Sequence, residues 1–69
     1  MEKNSLSLRL TYLRKQKGYT QYEVSEILNI SRSTLSKYEH GTRIPNIETL
    51  MQLATLYGVS CDYLLCRDI

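Results

Sequence analysis

The chain has no tryptophan, no phenylalanine, one proline, one histidine and two cysteines in 69 residues. It also has no apolar run of the roughly 20 residues that a membrane span needs, and its N-terminus, MEKNSLSLRL, lacks the apolar centre of a signal peptide. These absences point to the cytoplasm as the expected compartment. Cys61 and Cys66 stand five apart, on different faces of any helix that holds them, without a CxxC neighbour and far from His40, so two ordinary, partly buried thiols are expected rather than a metal or redox site. No paired-carboxylate spacing, nucleophile motif, metal cluster or glycine-rich phosphate loop occurs, and neither an enzyme nor a cofactor or small-molecule ligand is expected. Linkers, repeats, low-complexity segments and sustained β alternation are missing too. What is left is a single domain spanning residues 1–69, near the lower size limit for folding without staples.

Hydrophobic residues make up 42% of the chain, enough for a small core. All six aromatics are tyrosines, which implies nothing further about function. The net charge of +2 is unevenly spread: residues 1–45 hold eight Lys and Arg against four acids, and residues 46–69 hold Arg67 against Glu48, Asp62 and Asp68. A basic first two-thirds with an acidic tail suits a domain that meets a polyanion with one side, although chance scatter would look similar in so short a chain.

Apolar periodicity and capping residues predict five helices and an all-α class. The first spans about Leu6 to Lys17, with Leu6, Leu10 and Leu13 on one stripe, and stops at Gly18. Thr20 to Glu23 reads as a capping box that opens a second helix, Gln21 to Leu28, with Val24, Ile27 and Leu28 turned inward. Asn29 tolerates the left-handed backbone of a sharp turn. Ser31 caps a third helix, Arg32 to about Glu39, which Gly41 ends. Pro45 disfavours helix at Ile44. Asn46 caps a fourth helix, Ile47 to Tyr57, with Ile47, Leu50, Leu53, Ala54 and Tyr57 as its stripe, and Gly58 stops it. Ser60 caps a short fifth helix, Cys61 to about Cys66. The expected interior is Leu6, Leu10, Leu13, Tyr19, Val24, Leu28, Ile30, Leu35, Tyr38, Leu50, Leu53, Ala54, Val59 and Leu64.

The informative stretch is Thr20 to Gly41, two short helices joined by a tight turn. On the third helix, Leu35 and Tyr38 point one way while Ser33 and Lys37 point the other, flanked by Arg32 and Ser36 on one side and Thr34 on the other. Such a face of short hydroxyls and long cations can be an ordinary solvated surface. It can equally approach a groove floor, where Arg and Lys donate to guanine O6 and N7 and hydroxyls pair with several base edges. The short second helix, the three-residue turn and the small Ser25 at the crossing favour a helix-turn-helix over residues 21–39.

Residues 6–65 resemble the Cro/CI-type helix-turn-helix domain, the XRE family, through LRKQKGYTQYEVSEILNISRSTLSKYEHGTRIPNIETLMQLATLYGVSCDYLL. Asn29 stands where this family usually has Gly, and Ser25 where it usually has Ala. Both are small changes. The resemblance implies a compact five-helix, lambda-repressor-like fold whose second and third helices form the DNA-binding unit. It implies that Arg32, Ser33 and Lys37 read bases, with Ser36 beside them. Gln21, Ser31, Thr34, Thr42 and Arg43 match positions close to DNA phosphates, and a helix N-terminus at Gln21 suits an anion. Arg14 and Glu39 match an ion pair that locks the first helix to the third, although Arg14 can also stand near a phosphate.

The implied partner is double-stranded operator DNA, bound by a homodimer on a palindrome, with repression as the family's usual outcome. Val59, Tyr63, Leu65 and Ile69 either form the dimer surface or close the lower end of the core. Leu8 and Tyr12, opposite the core stripe of the first helix, are merely exposed or meet another chain. His40 is expected to be an exposed helix-end residue. The alternative reading is the DNA-binding half of a larger regulator, or an antitoxin that also binds a protein partner.

Overall fold

The computed structural model describes residues 5–66, with the side chains of residues 6–66. They form five helices: α1 (Ser5–Gln16), α2 (Gln21–Leu28), α3 (Arg32–His40), α4 (Ile47–Tyr57) and α5 (Cys61–Leu64). No strand occurs among the described residues. The recognition-type pair is held from several sides: α3 packs on α1 and α2, α2 also meets α4, and α5 closes against α1 and α4.

The helix boundaries follow from side chains that satisfy the backbone groups a helix leaves open. Thr20 Oγ accepts from the Glu23 N–H at 3.0 Å, and Glu23 Oε1 accepts from the Thr20 N–H at 2.8 Å, a complete capping box. Ser31 Oγ, Asn46 Oδ1 and Ser60 Oγ accept from the N–H groups of Thr34, Thr49 and Tyr63 at 2.8–3.0 Å. The α2–α3 turn needs a left-handed residue, and Asn29 provides it at φ 58°. The chain can then fold back so that the Ile30 N–H donates to the Ser25 carbonyl at 3.0 Å. Ser25 is itself buried, where its hydroxyl donates to the Tyr22 carbonyl at 2.8 Å. A small, internally satisfied side chain at that place lets α2 and α3 pack closely.

Leu10, Leu13, Val24, Leu28, Leu35, Tyr38, Leu50, Leu53, Ala54, Tyr57 and Leu64 form one continuous core. Four of the expected interior residues, Leu6, Tyr19, Ile30 and Val59, are only partly buried and pack around it. Two expected inward residues are corrected. Ile27 is 54% exposed and Ile47 70% exposed. The buried arc of α2 runs through Val24, Leu28 and Ser25, and Ile27 lies roughly 100° from its centre at about 100° per residue. Ile47 opens α4, and Met51, one turn on along the same line, is exposed as well. Conversely, Tyr57, placed on the α4 stripe but left out of the interior set, is one of the largest fully buried side chains.

Small boundary differences remain. The first helix begins one residue earlier, at Ser5, and ends at Gln16; the third extends to His40. The fifth stops at Leu64, because Leu65 leaves the helical backbone and Cys66 takes a left-handed φ of 60°.

Candidate nucleic-acid interface

The α3 surface is built outward from its anchors. Leu35 and Tyr38 are buried in the core, and Glu39 is buried beside them. On the opposite side Arg32, Ser33 and Lys37 are exposed, and among the described residues none of them is in an ion pair. Ser36 is partly buried on the flank. Its carbonyl accepts from His40 Nδ1 at 2.8 Å, and its hydroxyl lies 3.2 Å from the same nitrogen. A carbonyl only accepts, so Nδ1 carries a proton and Ser36 is engaged within its own helix. His40 is exposed.

Ser31 and Thr34 sit together at the start of α3, their hydroxyls 2.8 Å apart while Ser31 caps the helix. Thr42 donates to the Lys37 carbonyl at 3.3 Å, fixing the loop that follows α3. Arg43 in that loop is exposed. Gln21 opens α2, and the first intrahelical bond comes later, from the Val24 N–H to the Thr20 carbonyl. The backbone N–H of Gln21 therefore belongs to the open, electropositive end of the helix.

Beneath this surface lies a buried polar cluster. Glu39 retains 3% side-chain exposure and accepts from Arg14 Nε at 2.7 Å and Arg14 Nη2 at 3.1 Å, a two-pronged pair. Arg14 Nη1 donates onward to the Tyr19 carbonyl at 2.9 Å. The Glu39 hydrogen bond makes Arg14 hold its proton more strongly, against a smaller opposing effect of burial. Gln21 Nε2 donates to Glu39 Oε1 at 3.1 Å. One carboxylate thus ties together α1, the start of α2 and the end of α3. Sequence reasoning had no signal for the Gln21 link, which joins residues 18 apart in the chain. Tyr57 lies close enough to feel the cluster: burial first, and the Glu39 charge second, push its phenol well above the usual tyrosine range. Its hydroxyl is buried without a hydrogen-bond partner among the described residues.

The residues at the lower end are arranged differently from a free surface. Val59 and Tyr63 pack partly against the core, and Leu65 is 41% exposed. The Tyr63 ring carries the Arg9 guanidinium 4.2 Å above its centroid, and the Tyr63 carbonyl accepts from Arg9 Nη1. Ile69 lies outside the described residues. Leu8 and Tyr12 are both more than half exposed. A surface groove of about 400 Å³ between α2 and α4 is lined by Ile27, Leu28, Met51, Gln52, Thr55 and Leu56 and offers no charge to a polyanion. Among the described residues no group of His, Cys, Asp and Glu could hold a metal ion, and no helix is long and apolar enough to cross a membrane.

Known proteins resemble this chain in sequence and fold. A family model described as helix-turn-helix matches residues 10–64. The transcriptional regulator ImmR of Bacillus subtilis is 50% identical over 64 residues, covering 93% of this chain and 50% of that protein. The regulator AnsR of the same organism is 43% identical over 60 residues, covering 87% of this chain and 52% of that protein. The chain thus spans about half the length of these curated relatives. Among solved structures, the P22 c2 repressor in complex with a synthetic operator superposes with a TM-score of 0.87 at 28% identity, over 94% of this chain and 98% of that one. The family model over residues 10–64, with these relatives, places the chain in the helix-turn-helix family of the Cro/CI, or XRE, type.

Proposed function

We propose that the chain is a sequence-specific DNA-binding transcriptional regulator that lays α3 in the major groove. The observation that carries this reading is the two-sided character of α3: Arg32, Ser33 and Lys37 project outward from a helix whose inner side is buried. These side chains are short or flexible, none is acidic, and a buried ion pair fixes the helix from below. Arg32 and Lys37 supply donors for guanine, and Ser33 a hydroxyl that adapts to several base edges. Ser36 stands on the flank of this face, and its hydroxyl keeps its own O–H to donate to a base edge. Gln21, Ser31, Thr34, Thr42 and Arg43 surround this face and suit phosphates, which set register and affinity without sequence information.

One such domain spans only a few base pairs. A homodimer would present two α3 helices to half-sites about 10 bp apart, one turn of the duplex, on a palindromic operator. Leu65, with the partly buried Val59 and Tyr63, is the described part of the surface that would pair, and occupancy of a promoter would repress by exclusion of polymerase. The coverage of about half of each regulator supports a second reading, in which this domain is the DNA-binding half of a longer protein whose remainder senses a signal or a partner.

Selection of bound duplexes from a random pool, followed by titration of the winner by fluorescence anisotropy, tests the proposal. A recovered motif with two symmetric halves is the expected result. Recovery of no motif, with equal affinity for all duplexes, would overturn sequence-specific binding; a single unrepeated half-site would overturn the dimer alone.

A further inference from the structure

We infer that Glu39 is a positioning residue for DNA binding: by accepting from Gln21 Nε2 it fixes which way the Gln21 side-chain amide faces, and so presents an N–H donor to a DNA phosphate. The inference deepens the proposed DNA-binding reading and rests on it.

The reasoning starts from what each group can do. A side-chain amide has one accepting oxygen and one nitrogen with two donors, and its two ends are close in size, so a free amide at the surface samples both orientations. A phosphate oxygen only accepts. An amide that turns its oxygen toward a phosphate repels it, and one that turns its nitrogen toward it binds. A carboxylate also only accepts, so the buried Glu39, 3.1 Å from Gln21 Nε2, admits only the nitrogen-facing orientation. One of the two N–H bonds is used inward. The second diverges from it by about 120° within the planar amide and remains for an outside acceptor. Gln21 is partly exposed and opens α2, where its backbone N–H also points out of the helix end. Side chain and backbone thus offer two donors of one residue to the same anion.

Arg14 is the reason Glu39 can act in this way. Its two-pronged contact at 2.7 and 3.1 Å holds the carboxylate in place, and its contact with the Tyr19 carbonyl at 2.9 Å holds the guanidinium. Because Arg14 offsets its charge, Glu39 can face Gln21 beneath this surface with little net repulsion of a polyanion.

The test is Glu39→Gln, Gln21→Ala and the double variant, titrated with the selected operator duplex at several salt concentrations, at temperatures where each is folded by circular dichroism. A glutamine at position 39 accepts or donates, so the Gln21 amide loses its fixed direction, while the DNA-facing side becomes more positive. Simple electrostatics predicts tighter binding by Glu39→Gln; positioning predicts binding weaker by about three- to tenfold, the range of one hydrogen bond. In the Gln21→Ala background the same change should weaken binding less than about twofold, because there is no amide left to orient. Equal or tighter binding by Glu39→Gln, or an undiminished loss in the Gln21→Ala background, overturns the inference. An unchanged affinity of Gln21→Ala alone would instead remove the phosphate role of Gln21 itself.

If Glu39→Gln does not fold, the parent protein decides the matter by NMR. The nuclear Overhauser contact between the Gln21 side-chain amide and the Glu39 methylene protons should persist when operator is added, while the second amide proton shifts. Loss of that contact in the complex would mean that Gln21 swings away from Glu39 to reach DNA, and the inference fails.

Discussion

Replacing Arg14 by methionine keeps most of the side-chain volume and removes the charge. Glu39 would then be left with 3% exposure, accepting only from Gln21 Nε2 at 3.1 Å in place of the present set that includes the 2.7 and 3.1 Å bonds from Arg14. Stranding one partner of a buried pair costs about 3–5 kcal/mol. A chain of 69 residues has a total stability on the order of 3–10 kcal/mol at the usual 0.05–0.15 kcal/mol per residue. The loss is therefore a large part of the whole. Urea unfolding followed by helical circular dichroism should show the midpoint falling by about 3–5 M, given a slope near 1 kcal/mol per molar for a domain this small, or no native baseline at all. Arg14→Met combined with Glu39→Leu should regain most of the loss, because neither charge is then buried alone. The reasoning is refuted if Arg14→Met costs less than about 1 kcal/mol, or if the double variant is no more stable than the single one.

Tyr57→Phe deletes a buried hydroxyl that has no partner among the described residues, and should change stability by less than about 0.5 kcal/mol or raise it, rather than show the usual loss of a buried hydrogen bond. The raised phenol pKa also sets a sign with pH: the neutral form is favoured in the fold, so this contribution is complete below about pH 10 and is lost as pH rises further, and the alkaline decline measured by urea unfolding should be shallower in Tyr57→Phe. Ser33→Ala and Lys37→Ala should relax base preference in a second round of duplex selection while thermal midpoints stay within a few degrees; an unchanged selected motif would remove them from the reading face. Gln21→Ala and Arg43→Ala should both weaken all duplexes alike. Only Arg43→Ala should flatten the salt dependence, by about 0.9 in the log–log slope, since an amide releases no counterion. Equal slopes for the two variants would mean that Arg43 makes no phosphate contact.

The helix ends were legible because their signals are local. Thr20 with Glu23, Ser31, Asn46 and Ser60 each satisfy backbone groups three residues away, and the left-handed Asn29 answers a turn that the flanking helices require. Apolar spacing found the buried lines of α1 and α3. It found the direction of burial but not its width. How far the covered arc extends around α2 or back to the first residue of α4 depends on which helices arrive there, and Ile27 and Ile47 lie beyond it. Spacing did put Tyr57 on the apolar stripe of α4, but not in the expected interior, where the structure buries it fully. Polar links between distant segments carry no spacing signal. The Arg14–Glu39 pair was reached through family resemblance alone, and the Gln21–Glu39 bond, which depends on the approach of α2 to the end of α3, was not reached at all.

That bond changes how the stability and the proposed DNA binding relate. In a small helical domain, α3 could be held by its apolar side alone, since Leu35 and Tyr38 already anchor it. Apolar packing fixes distance well and rotation about the helix axis less well, because a methyl or ring contact is not directional. The proposed base reading needs the rotation, since a few tens of degrees would move Ser33 and Lys37 off a base edge. Directional, charge-assisted bonds from Arg14 to Glu39 pin that rotation at the C-terminal end of α3, and the Ser31 cap pins its start. Because Glu39 also holds Gln21, a single buried carboxylate links the end of α3 to the proposed phosphate donor at the start of α2. A domain built this way arrives at DNA with both already aligned, so little ordering is left to oppose binding. Amide chemical shifts around Arg14, Gln21 and Glu39 should therefore change far less on operator addition than those of the exposed Arg32, Ser33 and Lys37. Large shifts throughout the buried cluster would mean that the alignment forms only on the DNA.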